Sequence, residues 1–347
     1  MIPILSRCLL GSLLLAAAAT AQAPMDLKLP TINEFIFSNQ PEKFYMYTDR
    51  NFEGEVSKPW TGGKFGMTRT PVRTPEGILF DRFHEGIDIS PINRDKAGNP
   101  LDLITSIDAG KVAYVSAIPG RSNYGNYVVI EHDWGSGPFY SLYAHMAEIT
   151  CQPGEVVARG ATLGRMGFTG AGLNRTRAHL HLELNILSST NFDAWMKVNG
   201  GGINHHGNFN GMNLMGIDVA QLFIAQNANP ALSVVDFIAA SPVYFKVTIP
   251  RAGALDLLQR YPWLVRGPAE PTTPSWEISF TATGFPTGFA PSKRQVATPT
   301  VTFVQNTASR HRYHTRGLLD GSGTQASLTR SGLSLLSLIT GNFPQTQ

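Results

Sequence analysis

The chain has 347 residues, with 28 Lys and Arg against 25 Asp and Glu, which gives a formal net charge of +3. This near-neutral balance, without a long run of one charge, argues against a nucleic-acid partner. The length allows one large or two medium hydrophobic cores. Frequent glycines between short alternating runs predict a mostly β middle part.

Residues 1–23 have the pattern of a secretory signal peptide, because an apolar run over residues 9–19 is followed by small residues around Ala21. Cys8 lies before the apolar run, so a lipoprotein anchor is not expected. We therefore expect an exported protein with no stable membrane anchor. Cleavage leaves Cys151 as the only cysteine, which excludes an intramolecular disulfide.

Residues 24–58 form an N-terminal lead-in with few strong signals. Its aromatic side chains predict that it packs against the rest of the chain rather than extending freely; they are Phe35, Phe37, Phe44 and Tyr45. A glycine-rich turn over residues 62–66 follows and leads into the next element.

The first candidate site residues are His84 and Asp88, which are four residues apart with Gly86 between them. On an extended strand such positions lie on one face, and a glycine permits local bending. An imidazole and a carboxylate aimed at one point suit a divalent metal such as zinc. The alternative from these residues alone is an exposed His and an exposed Asp at a loop edge.

The runs over residues 127–132 and 139–146 are separated by a loop rich in turn residues. They predict an antiparallel β-hairpin. His145 lies near the end of the second strand, where its side chain can reach a groove. His132 lies next to the loop, and we interpret it as solvated.

Residues 177–183 alternate between apolar and polar side chains, which predicts a β-strand with one buried face. His179 and His181 therefore point to the same side of a sheet. Two imidazoles held in this way form half of a metal site, or a ligand next to a catalytic base. The alternative is a polar strand face with two solvated histidines.

In this order the motifs resemble the lysostaphin-type zinc endopeptidases, the M23 peptidase family. The matching elements lie between residues 60 and 218 and are Gly66-x-x-Arg69, His84-x3-Asp88, Gly125-Asn126, Tyr143-x-His145, Gly160-x3-Gly164, Thr169-Gly170 and His179-x-His181. Each element alone is weak, but the joint pattern is specific. The resemblance implies an antiparallel β-sheet groove with zinc on its floor, and we expect this peptidase domain over residues 59–225.

Carried over to this chain, the resemblance implies that His84, Asp88 and His181 bind Zn²⁺ and leave a fourth position for water. His145 and His179 are then the two unliganded histidines, which position or deprotonate the water and stabilise the tetrahedral intermediate. The sequence does not decide which of the two is the base. All five residues are present, whereas some relatives lose ligands and become activators of other hydrolases.

The resemblance also implies a substrate, the peptides of bacterial peptidoglycan. We expect a zinc metalloendopeptidase of the periplasm or cell envelope of a bacterium, or a secreted one, that hydrolyses stem-peptide crosslinks. No recognisable wall-binding module is evident in the sequence, which favours these crosslinks over polyglycine bridges. The oligomeric state is not predicted.

Two other classes of protein stay open at this point. The first is a non-catalytic or latent peptidoglycan-binding or activator protein on the same scaffold, with the groove blocked by the lead-in or by the loop near residue 200. The second is a cysteine peptidase that uses Cys151. That residue precedes a turn rather than a helix start that would lower the pKa of its thiol.

Residues 226–347 are expected to form a mixed α/β accessory domain, to which the sequence assigns no function. Apolar spacing predicts helices over residues 217–226, 232–240 and 333–339, and strands over residues 243–249 and 276–280.

Overall fold

The computed structural model describes residues 25–199, 202–268 and 272–343. The expected signal peptide, residues 1–23, and part of the loop near residue 200 lie outside the described residues. No helix in the described ranges is long and apolar enough to cross a membrane.

The described residues form 20 strands and five α-helices, numbered here in chain order. The strands are β1 (Arg50–Phe52), β2 (Glu55–Ser57), β3 (Gly66–Thr74), β4 (Gly77–His84), β5 (Ile87–Ile89), β6 (Leu103–Thr105), β7 (Gly110–Ser116), β8 (Tyr127–Asp133), β9 (Pro138–Ala144), β10 (Met146–Ile149), β11 (Val156–Val157), β12 (Thr162–Met166), β13 (Leu180–Leu187), β14 (Leu214–Ile217), β15 (Phe245–Pro250), β16 (Ser275–Phe280), β17 (Pro286–Ser292), β18 (Thr300–Val304), β19 (Leu319–Ser322) and β20 (Gln325–Leu328). The helices are α1 (Phe192–Asn199), α2 (Val219–Ala228), α3 (Val234–Ala239), α4 (Asp256–Arg260) and α5 (Arg330–Thr340).

A seven-stranded antiparallel sheet is the centre of the fold, with the order β11-β7-β8-β9-β13-β14 and β5 paired to β13. All eight residues of β13 are buried. Leu180, Leu182, Leu184 and Ile186 belong to the main apolar core. The alternation of side chains along a strand places His181, Glu183 and Asn185 on the opposite face. The predicted mostly β, antiparallel fold class is confirmed, and so is the predicted hairpin, β8–β9.

The lead-in is joined to the central sheet by backbone hydrogen bonds. Met46 N donates to Asp88 O at 2.8 Å, and Ser90 N donates to Phe44 O at 2.8 Å. Phe44 and Tyr45 are buried, as predicted, whereas Phe37 is 45% exposed. The lead-in therefore extends the sheet at β5 and is part of the folded core.

The C-terminal elements form a four-stranded sheet, β17-β16-β15-β18, with the β19–β20 hairpin and helices around it. The three predicted helices and two predicted strands are present as α2, α3, α5, β15 and β16. These elements pack on the central sheet. Tyr261 Oη donates to Pro138 O at 2.8 Å, and Arg260 Nη1 donates to Leu187 O at 2.8 Å.

The interpretation of His132 as a solvated residue is wrong. Its side chain is fully buried and stacks on Trp134, with ring centroids 5.2 Å apart. Nδ1 lies 2.8 Å from Ala109 O, and Nε2 lies 2.7 Å from Ser141 Oγ. Strand β8 continues to Asp133, one residue beyond His132. His132 therefore belongs to the sheet rather than to the loop, and its imidazole lies in the interior.

Candidate metal centre

Strand β4 of the β3–β4 hairpin and strands β5 and β13 of the central sheet bring the predicted ligands together. Strand β4 ends at His84, a short turn follows, and β5 places Asp88 opposite His181 in the β13 register. The turn crosses β13 so closely that a Cβ atom on Gly86 would lie 2.3 Å from Leu182 O. Only glycine fits there, which explains its position between the two candidate ligands.

The ligand atoms of His84, Asp88 and His181 form a compact triangle. His84 Nε2 lies 3.0 Å from Asp88 Oδ1 and 3.1 Å from His181 Nδ1. His181 Nδ1 lies 3.0 Å from Asp88 Oδ1. All three residues are buried. A tetrahedral zinc site with ligand distances near 2.0–2.1 Å separates its ligand atoms by roughly 3.3 Å, so the donor set fits such an ion.

The partners of the other imidazole nitrogens fix the tautomers. His84 Nδ1 lies 2.8 Å from Lys64 O, and His181 Nε2 lies 2.8 Å from Glu183 Oε1. Each of these nitrogens donates its proton to an oxygen, since a carbonyl or carboxylate only accepts. When His181 Nδ1 carries no proton, the lone pairs of His84 Nε2 and His181 Nδ1 face one another and Asp88 Oδ1. Three converging lone pairs suit a divalent cation.

The second oxygen of Asp88 is held by Arg69, whose Nη2 donates to Oδ2 at 2.5 Å. Burial alone would raise the pKa of Asp88, but the neighbouring His179 and His84 outweigh it and hold that pKa well below its ordinary value. Asp88 is therefore an ionised carboxylate with Oδ1 free to act as a ligand.

Glu183 is a further residue of the site, and the sequence motifs assign it no role. Its carboxylate accepts hydrogen bonds from His181 Nε2 and, at 2.6 Å, from Tyr124 Oη, while Oε2 accepts from Asn185 Nδ2 at 2.9 Å. The signal was present in the sequence, because Glu183 follows His181 by two residues and shares its strand face. A carboxylate behind a ligating imidazole orients the ring and raises its basicity.

The protonation of His181 is coupled to its two carboxylate partners. Burial lowers the pKa of His181, but the hydrogen bonds and charges of Asp88 and Glu183 outweigh it and raise the pKa to about 10. Burial likewise would raise the pKa of Glu183, yet the hydrogen bond from His181 lowers it. A proton and a cation compete for His181 Nδ1, so cation binding there releases a proton.

The predicted unliganded histidines lie beside this triangle. His145 directly follows β9 and has a φ of +64°, a left-handed conformation that non-glycine residues rarely adopt. The ring centroids of His145 and His179 are 4.7 Å apart, and His179 Nε2 lies 3.3 Å from Asp88 Oδ1. His145 Nδ1 lies 2.9 Å from Thr169 O, and His179 Nδ1 lies 2.7 Å from Arg177 O. Both rings therefore keep an Nε2 lone pair directed away from these carbonyls.

Burial, followed by the neighbouring His179 and His181, lowers the pKa of His145 well below its ordinary value. His145 is therefore neutral at pH 7, and its Nε2 can accept a proton. This arrangement places a hydrogen-bond acceptor next to a cation site.

The triangle opens into a polar pocket of about 480 Å³, whose lining includes Asp88, His145, His179 and His181. The lead-in reaches this pocket through Arg50. Within residues 25–199, 202–268 and 272–343, no His, Asp or Glu of the lead-in joins the metal-binding cluster.

Cys151 lies apart from this pocket, and it is buried with Sγ 3.9 Å from Leu163 O. Burial, followed by the charge of Glu155, raises the pKa of its thiol. A catalytic cysteine needs the opposite shift, toward the thiolate. The environment of Cys151 is therefore that of a structural residue.

The fold and the site together define a β-sheet protein with a His/Asp/His centre at the floor of a groove. Residues 82–194 match Peptidase family M23, so the chain contains a peptidase domain of this family. The family resemblance predicted from the motifs is confirmed. No curated protein matches the chain.

Several solved structures are similar to the chain at low identity. The catalytic domain of the prophage-encoded M23 protein EnpA from Enterococcus faecalis is 22% identical, with 40% of this chain and 79% of that chain covered and a TM-score of 0.25. The catalytic domain of lysostaphin from Staphylococcus simulans is 24% identical, with 38% of this chain and 86% of that chain covered and a TM-score of 0.24. A zinc-containing peptidase from Vibrio cholerae is 23% identical, with 40% of this chain covered and a TM-score of 0.24. The match covers 43% of that protein, which is less than half of its length.

Proposed function

We propose that this chain is an exported zinc metalloendopeptidase that hydrolyses peptide bonds in peptidoglycan stem-peptide crosslinks. The observation that carries the proposal is the convergence of His84 Nε2, Asp88 Oδ1 and His181 Nδ1 at the floor of an open pocket. Two further imidazoles line the same pocket. The M23 domain at residues 82–194 supports peptide hydrolysis.

In this proposal His84, Asp88 and His181 hold the zinc ion. When bound, zinc supplies Lewis acidity, which polarises the scissile carbonyl and makes a water molecule more acidic. Arg69 and Glu183 keep Asp88 and His181 oriented for this role, since each hydrogen-bonds the atom that faces away from the centre.

His145 and His179 carry out the proton chemistry in this proposal. The Nδ1 proton of His145 is used by Thr169 O, so Nε2 is the atom that accepts a proton from the attacking water. His179 has its Nε2 beside the carboxylate of Asp88 and stabilises the negative charge on the oxygen of the scissile carbonyl when protonated. The proton then passes to the leaving amine.

The pattern of residues 1–23 supports export to the periplasm or cell envelope. A groove-shaped pocket suits an extended peptide, so the partners are the peptides of peptidoglycan. The accessory domain over residues 226–347 has no assigned chemistry in this proposal.

The decisive experiment is digestion of purified peptidoglycan by the zinc-loaded protein, with products identified by mass spectrometry and metal measured by elemental analysis. We expect new amino groups at peptide crosslinks and loss of this activity with a strong chelator. His181→Ala is expected to lose zinc and activity together. The matched control is His205→Ala, which changes an exposed histidine outside the pocket and should leave both unchanged.

If the wild-type protein binds zinc but hydrolyses no peptidoglycan, the non-catalytic activator class is favoured. Full zinc occupancy in His181→Ala would contradict the ligand assignment. Hydrolysis that resists chelators but stops when Cys151 is alkylated would favour the cysteine peptidase class.

A further inference from the structure

Four arginines line the pocket into which the metal-binding triangle opens: Arg50, Arg69, Arg82 and Arg177. Arg69 is paired with Asp88. In the part of the chain that the structure describes, the other three have no carboxylate within 4.0 Å. Like charges gathered around one pocket repel each other, so an anionic ligand there is favoured.

Arg50 and Arg177 lie at the junction of two cavities. Both line the metal pocket, and both also line an adjoining cleft of about 1080 Å³ between the lead-in and residues 90–92. Arg50, Arg69 and Arg177 also line one small cavity of about 30 Å³ together, so the three residues are neighbours. An extended peptide that leaves the metal pocket along this cleft passes both groups.

The two arginines are held by different parts of the fold. Arg50 begins β1 and pairs with Ser57 of β2. Arg177 lies in the short 3₁₀ turn just before β13, where its Nη1 donates to Gly172 O at 2.6 Å. One guanidinium reaches the pocket from the lead-in and the other from the loop that precedes the histidine strand.

The lead-in that carries Arg50 is a fixed part of the fold. Its backbone pairs with the strand of Asp88, and Asn33 Nδ2 donates to Ser90 O at 2.9 Å. Phe44 is fully buried in the main apolar core. Arg50 is therefore positioned next to the catalytic pocket in the folded protein.

The acidic groups that face the pocket do not neutralise this charge. Asp88 is engaged by Arg69, and the remaining acidic side chain of the lining is Glu85. Arg316, from the C-terminal elements, lies over the ring of Phe83 at 4.7 Å and interacts electrostatically with Glu85. Among the described residues, Glu85 forms no ion pair within 4.0 Å with Arg50 or Arg177. The adjoining cleft is also lined by Glu42 and Asp49, and Asp49 Oδ1 lies 3.8 Å from Lys58 Nζ. Arg50 and Arg177 therefore stay available.

We infer that Arg50 and Arg177 bind a substrate carboxylate, so that the site takes an acidic peptide whose free carboxylate lies next to the scissile bond. This inference rests on the proposed function, because it names which peptides that site takes. Guanidinium groups suit carboxylates because they donate two parallel hydrogen bonds. A carboxamide at the same position carries no charge and cannot accept this pair equally well.

The test compares two crosslinked stem peptides that differ only in a free carboxylate or a carboxamide next to the cleaved bond. With zinc-loaded full chain, we expect kcat/KM to be about tenfold higher for the free acid, which corresponds to about 1.4 kcal/mol. The preference should act mainly through KM and should shrink as salt is raised, because an exposed charge pair is screened.

Arg50→Gln and Arg177→Gln should each reduce the preference for the free acid. Arg50→Lys keeps the positive charge and should retain part of the preference that Arg50→Gln loses. The matched control is Arg294→Gln, an exposed arginine outside the pocket, which should keep the wild-type preference. Zinc content and melting temperature of every variant show that the fold is intact.

Equal kcat/KM for the two peptides, or a preference that survives in both Gln variants, would overturn the inference while the proposed function stands. If neither peptide is hydrolysed, the proposed function fails, and calorimetric titration of the two peptides into the zinc-loaded chain still decides the inference. Equal affinities would then overturn it, and tighter binding of the free acid that is lost in the Gln variants would support it.

Discussion

The carboxylate of Glu183 provides a sharp test of how the metal centre is held. Its side chain is almost fully buried and accepts hydrogen bonds from three donors, on His181, Tyr124 and Asn185. The change Glu183→Gln keeps the size of the side chain but removes its charge. It also replaces one acceptor oxygen by an NH₂ group, which cannot accept any of these hydrogen bonds.

The expected loss follows from these contacts. Without an ionised partner, His181 Nε2 loses a charge-assisted hydrogen bond of 2.8 Å. The ring becomes less basic and less well oriented, so zinc binds more weakly. Partners of this kind typically change metal affinity by roughly 10–100-fold, or about 1.4–2.7 kcal/mol. Glu183→Ala should cost more, because it also leaves the Tyr124 hydroxyl without its acceptor.

The assay is competition for zinc between the protein and a chromophoric chelator of known affinity at fixed pH. Glu148→Gln is the matched control, because Glu148 is exposed on β10 and lies outside the pocket; its zinc affinity should equal that of the wild type. If Glu183→Gln bound zinc as tightly as the wild type and melted at the same temperature, the orienting role of this carboxylate would be refuted.

Three further predictions concern histidines and the cysteine. His145→Ala should keep zinc but lose roughly 10²–10⁴-fold in kcat, and normal turnover of this zinc-loaded variant would remove His145 from the mechanism. Alkylation of native Cys151 should be slow, because burial raises the pKa of its thiol, and hydrolysis should survive it; rapid, inactivating alkylation would contradict this. Burial also lowers the pKa of His132, so its contribution to stability is complete above about pH 6.5 and is lost as pH falls through the folded pKa. Denaturant midpoints measured from pH 7 to 5 should therefore fall more in the wild type than in His132→Gln.

Much of the site was predictable because strand periodicity is a local property of the sequence. The alternation over residues 177–183 places His179 and His181 on one face whatever the rest of the fold. The spacing of His84 and Asp88 likewise predicted that they converge, although a turn separates their strands. The structure brings both to His181, and His179 lines the adjacent pocket. The same periodicity located strands β15 and β16 and helices α2, α3 and α5.

Features that depend on distant segments were not predictable in this way. The burial of His132 depends on Ala109, which lies 23 residues earlier in the chain and places its carbonyl oxygen 2.8 Å from His132 Nδ1; the local pattern of β8 gives no sign of this contact. The pairing of the lead-in with β5 joins residues about 40 positions apart. Arg50 had no local signal for a place in the pocket, because its position follows from that pairing.

The acceptors behind the histidines show why the motif alone does not define the chemistry. Each buried imidazole must place its N–H on an oxygen, because a buried donor without a partner is costly. The oxygens come from four places in the chain: Lys64 O, Thr169 O, Arg177 O and the Glu183 carboxylate. The nitrogen that faces the centre is therefore selected by the tertiary fold. A variant that moves one of these oxygens changes which nitrogen is available for metal or proton, even when every residue of the motif is retained.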